Sequence, residues 1–176
     1  MRILTVRETA WFNVDPETIW YHSSQIEEWP VWCAGLRSAR WLRGTEWQVG
    51  ARFGLSWDFE AAAPLFGGEV LCVDKDGVDH SQEADFPVSS TAEQENLAHG
   101  LLARRVCWRA GFGPFRSEAR LAIIEDGSGS LVEFTTHWQG WSAIFGGGRR
   151  ASRCARIQRD WLASLRETLE RVGSIG

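Results

Sequence analysis

Lysine is almost missing from this chain of 176 residues: Lys75 is the single one among 19 basic residues, and 23 acidic residues leave a net charge of -4. A general nucleic-acid binder carries a basic face, so nucleic acid is excluded as an expected partner. The bias toward arginine reads as composition rather than as a recognition surface. Long apolar runs are missing too. No stretch approaches the roughly 20 residues needed to cross a bilayer. The opening MRILTVRETAWF has neither the continuous apolar core nor the small-residue cleavage site of a secretory signal. These absences predict a cytoplasmic protein with no membrane span. Cysteine is sparse and scattered: Cys33, Cys72, Cys107 and Cys154 form no C-x-x-C pair. Neither a disulfide framework nor a zinc site is expected, and the four read as reduced, small core hydrophobes. No two of His22, His80, His99 and His137 have metal-ligand spacing, and no serine or cysteine lies in a nucleophile motif. Gly146-Gly147-Gly148-Arg149-Arg150 lacks the strand–turn–helix setting of a phosphate loop. The expectation is therefore no metal, no cofactor and no hydrolase triad, and nothing fixes a catalytic acid or base.

What the chain does have is tryptophan, 11 of them, within an ordinary globular composition of 44% hydrophobic and 24% charged residues. Its length predicts one domain over 1–176 with a sizeable core. A first strand is expected over 3–12, where Leu4, Val6, Ala10 and Phe12 share a face that Glu8 interrupts. Asp15 before Pro16 predicts a capped helix start, with residues 18–23 helical and Ile19 and Trp20 turned inward. Ser24-Gln25-Ile26-Glu27 has capping-box spacing, so a second short helix is expected to begin there and stop at Trp29, before Pro30. Strands follow at 39–42, 51–59, 69–74, 102–109, 115–125 and 131–139, with Asp126-Gly127-Ser128-Gly129 as a hairpin signal. Segment 78–100 breaks the rhythm; it is polar and acidic, carries a second capping-box pattern at 90–93, and reads as a lid or a surface excursion with a short helix over 91–99. After the glycines at 146–148, which read as a hinge, Cys154, Ile157, Trp161, Leu165, Leu169 and Val172 form one apolar stripe along a closing helix over 149–172.

The quoted residues also carry a resemblance. NVDPETIW (13–20), IEEWPVW (26–32), Gly50-Ala51-Arg52-Phe53, VLCVD (70–74), 129–134 and Trp138-Gln139-Gly140 follow, in order and spacing, motifs of the START/Bet v 1-like (SRPBCC) superfamily. Within it the chain most resembles the polyketide cyclase/dehydrase group. The acidic residue which that group places before its Trp-Pro is not in register here, where Gln25 and Glu28 stand nearby. The resemblance implies an α+β helix-grip fold: a seven-stranded antiparallel sheet wrapped around a long C-terminal helix, with two short helices after the first strand. It also implies a central cavity for an apolar ligand.

In such a fold the expected lining is Phe53, Leu55, Trp57 and Phe59 from one strand, Val106 and Trp108 from another, and Val132, Phe134, Thr136 and Trp138 from the last. Cys154, Ile157 and Trp161 come from the helix, with Trp29, Trp32, Trp141 and Phe145 near the mouth. Indoles suit a planar, aromatic ligand, yet so many could equally fill the core themselves. Glu8 and Arg104 fall in phase with apolar positions; they read as polar anchors inside the cavity, as acid and electrostatic stabiliser there, or as charges released to solvent where strand ends twist or bulge. His137 alternates onto the opposite face and reads as a surface residue. The expected function is binding of a hydrophobic or aromatic small molecule, with cofactor-independent cyclase/aromatase-like chemistry as one form of it. A lipid or hydrophobic-ligand carrier and a protein-interaction module remain open, and oligomeric state cannot be read.

Overall fold

The computed structural model describes residues 3–58, 66–75, 101–110, 116–139 and 147–173. The expected helix over 91–99, the lid over 78–100, and Phe59, Trp141 and Phe145 lie outside them. Strand β1 (Ile3–Phe12) leads into helix α1 (Pro16–Ser24), a 3-10 turn (Ile26–Glu28) and helix α2 (Trp29–Trp32). Strands β2 (Leu36–Arg43), β3 (Arg52–Trp57), β4 (Phe66–Lys75), β5 (Leu101–Ala110), β6 (Ser117–Asp126) and β7 (Gly129–Gln139) follow, and helix α3 (Gly147–Gly173) closes the chain. All pairings are antiparallel in the order β1-β7-β6-β5-β4-β3-β2, so the first strand closes beside the last while the short helices carry the chain to the other edge. Register shifts between β2 and β3, β4 and β5, and β5 and β6 mark where the sheet bends, since an extra residue on one strand increases local twist. The result is a helix-grip sheet around α3.

Local chemistry explains the elements. Asp15 caps α1: its carboxylate accepts from the Thr18 amide at 2.9 Å and the Thr18 hydroxyl at 2.6 Å, which holds its pKa below the ordinary value. The expected capping box at Ser24 does not form. Ser24 instead donates to the Tyr21 carbonyl, and Trp29 does not end the second helical segment. Pro30 sits in the first turn of α2, where a missing N–H costs nothing, so the segment runs on to Trp32. At the β6–β7 hairpin Asp126 pairs with Gly129, and Gly127 takes a left-handed φ of 62° at the first of two central positions, the place a tight hairpin reserves for glycine.

Along the strands the inward rows are apolar, with Val106 at 1% exposure, Leu121 at 2% and Val132 at 0%. Helix α3 lays Trp161, Leu162, Leu165 and Leu169 against them, and Ile19 and Ile26 close the core from the short helices. Gly68 sits opposite Phe53 across β3 and β4. A Cβ there would strike the Phe53 ring, meeting two of its carbons at 2.7 and 2.8 Å. Gly68→Ala is therefore expected to displace a fully buried ring at a cost of about 1–3 kcal/mol. A denaturant midpoint equal to that of the parent protein would mean the ring does not depend on the glycine.

The outward face holds a correction. Cys72 and Cys107, expected as reduced thiols, face each other across β4 and β5 with Cα atoms 5.0 Å apart and are joined as a disulfide. They are 35 residues apart in sequence, with no local motif, so only the strand register brings them together. Cys33 and Cys154 are free. On the same outward face as the Cys72–Cys107 pair, Glu133 is 3% exposed, paired with Arg7 and, at 2.7 Å, with Arg120, and it accepts from the Thr135 hydroxyl at 3.1 Å. His137 lies on this outward row, half-buried, with Nδ1 2.9 Å from the Thr5 hydroxyl.

Candidate functional site

The interior between the sheet and α3 is built from rings. Trp161 on α3 stands 5.5 Å from both Trp29 and Trp32, and 5.7 Å from Phe134 on β7. Phe134 meets Trp108 on β5 at 5.6 Å, and Trp108 meets Phe53 on β3 at 6.0 Å. Phe53 in turn meets Trp41 on β2 at 5.7 Å and Trp47 at 6.2 Å, and Trp47 meets Trp20 on α1 at 5.6 Å. Most of these planes cross steeply, between 49° and 86°, the edge-to-face geometry that ring quadrupoles favour. One unbroken chain of rings thus runs from α2 across the sheet to α1. Along that line the interior is occupied by the protein's own indoles.

Trp47 reaches the chain from a turn bounded by glycines. Its backbone adopts a left-handed φ of 53°, uncommon for a bulky residue, and the ring is held by Trp20, Trp41 and Phe53. Its indole N–H donates to the Ser24 carbonyl at 2.6 Å, and that of Trp29 donates to Ser23 at 3.1 Å. Trp161 differs. It is 1% exposed, and its N–H has no hydrogen-bond partner among the described residues.

Beyond Phe134 the lining changes character. Side chains of β7 reach α3: Phe134 meets Trp161 and Thr136 meets Gln158. Gln158, 1% exposed, donates from Nε2 to the Thr136 hydroxyl oxygen at 2.9 Å; its own Oε1 has no partner among the described residues. Thr136 also bonds the Cys154 sulfur, but burial outweighs that contact and pushes the Cys154 thiol up. Burial likewise pushes Cys33 up to about 12, with the Asp160 charge adding to it. Both therefore stay neutral thiols at neutral pH.

The expected lining residues fall into three groups. Trp29, Phe53, Trp57, Trp108, Phe134 and Trp161 lie in one continuous core, with Trp32, Leu55 and Ile157 packed partly buried against it. Thr136, Trp138 and Cys154 mark the far end: Thr136 and Trp138 are 6% and 9% exposed, and Cys154 is half-buried. Glu8 and Arg104 form the third group, and each is met by a helix. Glu8 lies opposite Phe134 on the inward row of β1 and is 3.3 Å from Arg159 of α3. Arg104 donates to both Glu17 carboxylate oxygens, at 3.0 and 2.9 Å, and lies 5.0 Å over the Trp20 ring. These two charges tie α3 and α1 to the sheet. Sequence reasoning missed Gln158, Trp41 and Trp47. For Gln158 a signal existed, since it is four residues after Cys154 and three before Trp161, within the apolar stripe. For Trp47 none did, because its inward turn depends on an unusual backbone angle.

No family profile and no curated protein matches the sequence. Solved structures do. A protein of Mesorhizobium loti superposes with a TM-score of 0.62 at 15% identity, covering 95% of this chain and 97% of that one. A START superfamily protein of Mycobacterium smegmatis gives 0.56 at 15%, covering 98% and 99%. The Zhui aromatase/cyclase of Streptomyces gives 0.61 at 10%, covering 97% and 95%. Identities this low speak to architecture alone. The chain shares the helix-grip fold of these structures.

Proposed function

We propose that this protein binds a hydrophobic or aromatic small molecule between the inward face of the sheet and α3, acting over 1–176 as one helix-grip domain with 78–100 as its gate. The observation that carries the reading is Trp161: a fully buried indole among three other rings whose N–H has no partner among the described residues, where Trp29 and Trp47 both satisfy theirs. Apolar sites with a few oriented polar groups are the usual form of small-molecule pockets. The ring chain supplies flat walls, and Thr136, Cys154 and Gln158, with Trp138 and Ile157 nearby in sequence, supply the end where a ligand's polar part would lie. Trp32, partly buried, stands at the mouth in this reading, whereas Trp29, expected there too, is 2% exposed and lies in the core. The location proposed is the cytoplasm, which cell fractionation reads; in a reducing compartment Cys72 and Cys107 would stand as adjacent thiols.

The carrier form is favoured over the cyclase form by one observation. At the Thr136 end the Cys154 thiol is held neutral by burial, and Glu8 is taken up in an ion pair with Arg159, so the described side chains there offer no free partner for proton transfer to a ligand. Native mass spectrometry of the purified protein is expected to reveal a co-purifying small molecule, and polycyclic aromatics should quench tryptophan fluorescence saturably. A mass equal to the bare chain together with linear, non-saturating quenching would sink the reading and leave the protein-interaction module.

A further inference from the structure

Resting on the small-molecule reading above, we propose that the site is built for a neutral hydroxyl group: the ligand's O–H donates to Gln158 Oε1 while its oxygen accepts from Trp161 Nε1. The two side chains are three residues apart on α3, which places them on one face of the helix, and each is 1% exposed. The Gln158 carboxamide is oriented by its Nε2 bond to Thr136 at 2.9 Å, which leaves Oε1 as a buried acceptor with its lone pairs unused. The Trp161 indole can only donate. Neither atom has a partner among the described residues. Buried polar groups are rarely left so, and an acceptor and a donor three residues apart on one helix face suit a group that gives and takes one hydrogen bond at once.

A hydroxyl does both. A ketone or ether leaves Gln158 unsatisfied, an ammonium leaves Trp161 unsatisfied, and a carboxylate sets negative charge against the Gln158 carbonyl. The rings around Trp161, namely Trp29, Trp32 and Phe134, then define what the hydroxyl is attached to: a planar apolar frame, as in a phenol or a polycyclic alcohol.

The test uses the full chain with three probes sharing one frame: naphthalene, naphthol and naphthoic acid, titrated by calorimetry and by tryptophan quenching. Naphthol is expected to bind about tenfold more tightly than naphthalene, and naphthoate more weakly than either. Gln158→Met keeps the shape and removes the acceptor; it should bring naphthol within about twofold of naphthalene while leaving naphthalene itself unchanged. Should that variant fail to fold, the ranking of the three probes on the unmodified protein still decides. Naphthol no tighter than naphthalene, as when a bound water already satisfies the pair, or naphthoate tightest, overturns the hydroxyl proposal and leaves the hydrophobic site standing. Saturable binding of none of the three overturns both.

Discussion

Glu133→Gln is expected to cost this fold about 3–5 kcal/mol, the usual penalty for breaking a buried charge pair and leaving its partners behind. Glu133 is 3% exposed on the outward side of β7, where most residues of such a sheet would be wet. Two arginines from neighbouring strands converge on it, Arg7 of β1 and Arg120 of β6, and the Thr135 hydroxyl adds a third contact. Burial pushes the carboxyl's pKa up. The hydrogen bond and charge of Arg120, the charge of Arg7 and the Thr135 bond together outweigh it and hold the value below its ordinary 4.5. The sign follows from linkage. A folded pKa below the unfolded one gives stability that is fully present above the unfolded value and lost as pH falls through the folded value. Thermal midpoints of the parent protein should therefore drop as pH falls below 4.5, and those of Glu133→Gln should lack that part of the decline. Equal midpoints at neutral pH, or the same acid limb in both proteins, would show that the cluster does not hold β1, β7 and β6 together.

Trp161→Ala should be equally damaging, at about 3–5 kcal/mol, because a fully buried indole leaves a cavity that its neighbours cannot fill. Trp161 is the one ring of α3 that contacts both α2, through Trp29 and Trp32, and the sheet, through Phe134. Its loss uncouples the grip. Trp161→Phe is the informative companion: it keeps an aromatic wall while removing part of the ring system and the N–H that has no partner among the described residues. It should retain most of the stability while losing any affinity that depends on that donor. Chemical denaturation of the three proteins separates the two effects. An alanine variant within about 1 kcal/mol of the parent would show that the ring chain is not what seats α3.

Much of the architecture was readable before any coordinates. The two-residue period of 3–12 gave β1 its bounds, and Asp15-Pro16 marked the start of α1. The four-residue turn at 126–129 set the β6–β7 hairpin, and the apolar stripe from Cys154 to Leu169 drew the long helix. These are local signals, each carried by residues within one or two turns of one another. The capping-box spacing at Ser24 misled because the pattern competes with a nearer acceptor, the Tyr21 carbonyl, and because a proline in a first turn begins a helix as readily as it ends one.

The site was legible only as a set of lining candidates. Period and stripe identified the rows on which Phe134, Trp108 and Trp161 lie, but not that their rings would touch. The same rows flagged Glu8 and Arg104 as charges out of place, without revealing Arg159 and Glu17 as the partners that meet them. Gln158 was visible as a polar residue in an apolar stripe, and its meaning came only from Thr136, 22 residues earlier on another element.

Taken alone, the order of residues determined the fold class, the element order and the faces on which apolar residues gather, because backbone preference and hydrophobic period act over short stretches of chain. Tertiary structure decided what meets across those faces: the Cys72–Cys107 bridge, the Arg7–Glu133–Arg120 cluster, the ring chain, and the Gln158 and Trp161 groups left without a partner among the described residues. Each of these depends on strand register and on the angle at which α3 lies in the sheet. Those are long-range quantities that no short window of sequence contains.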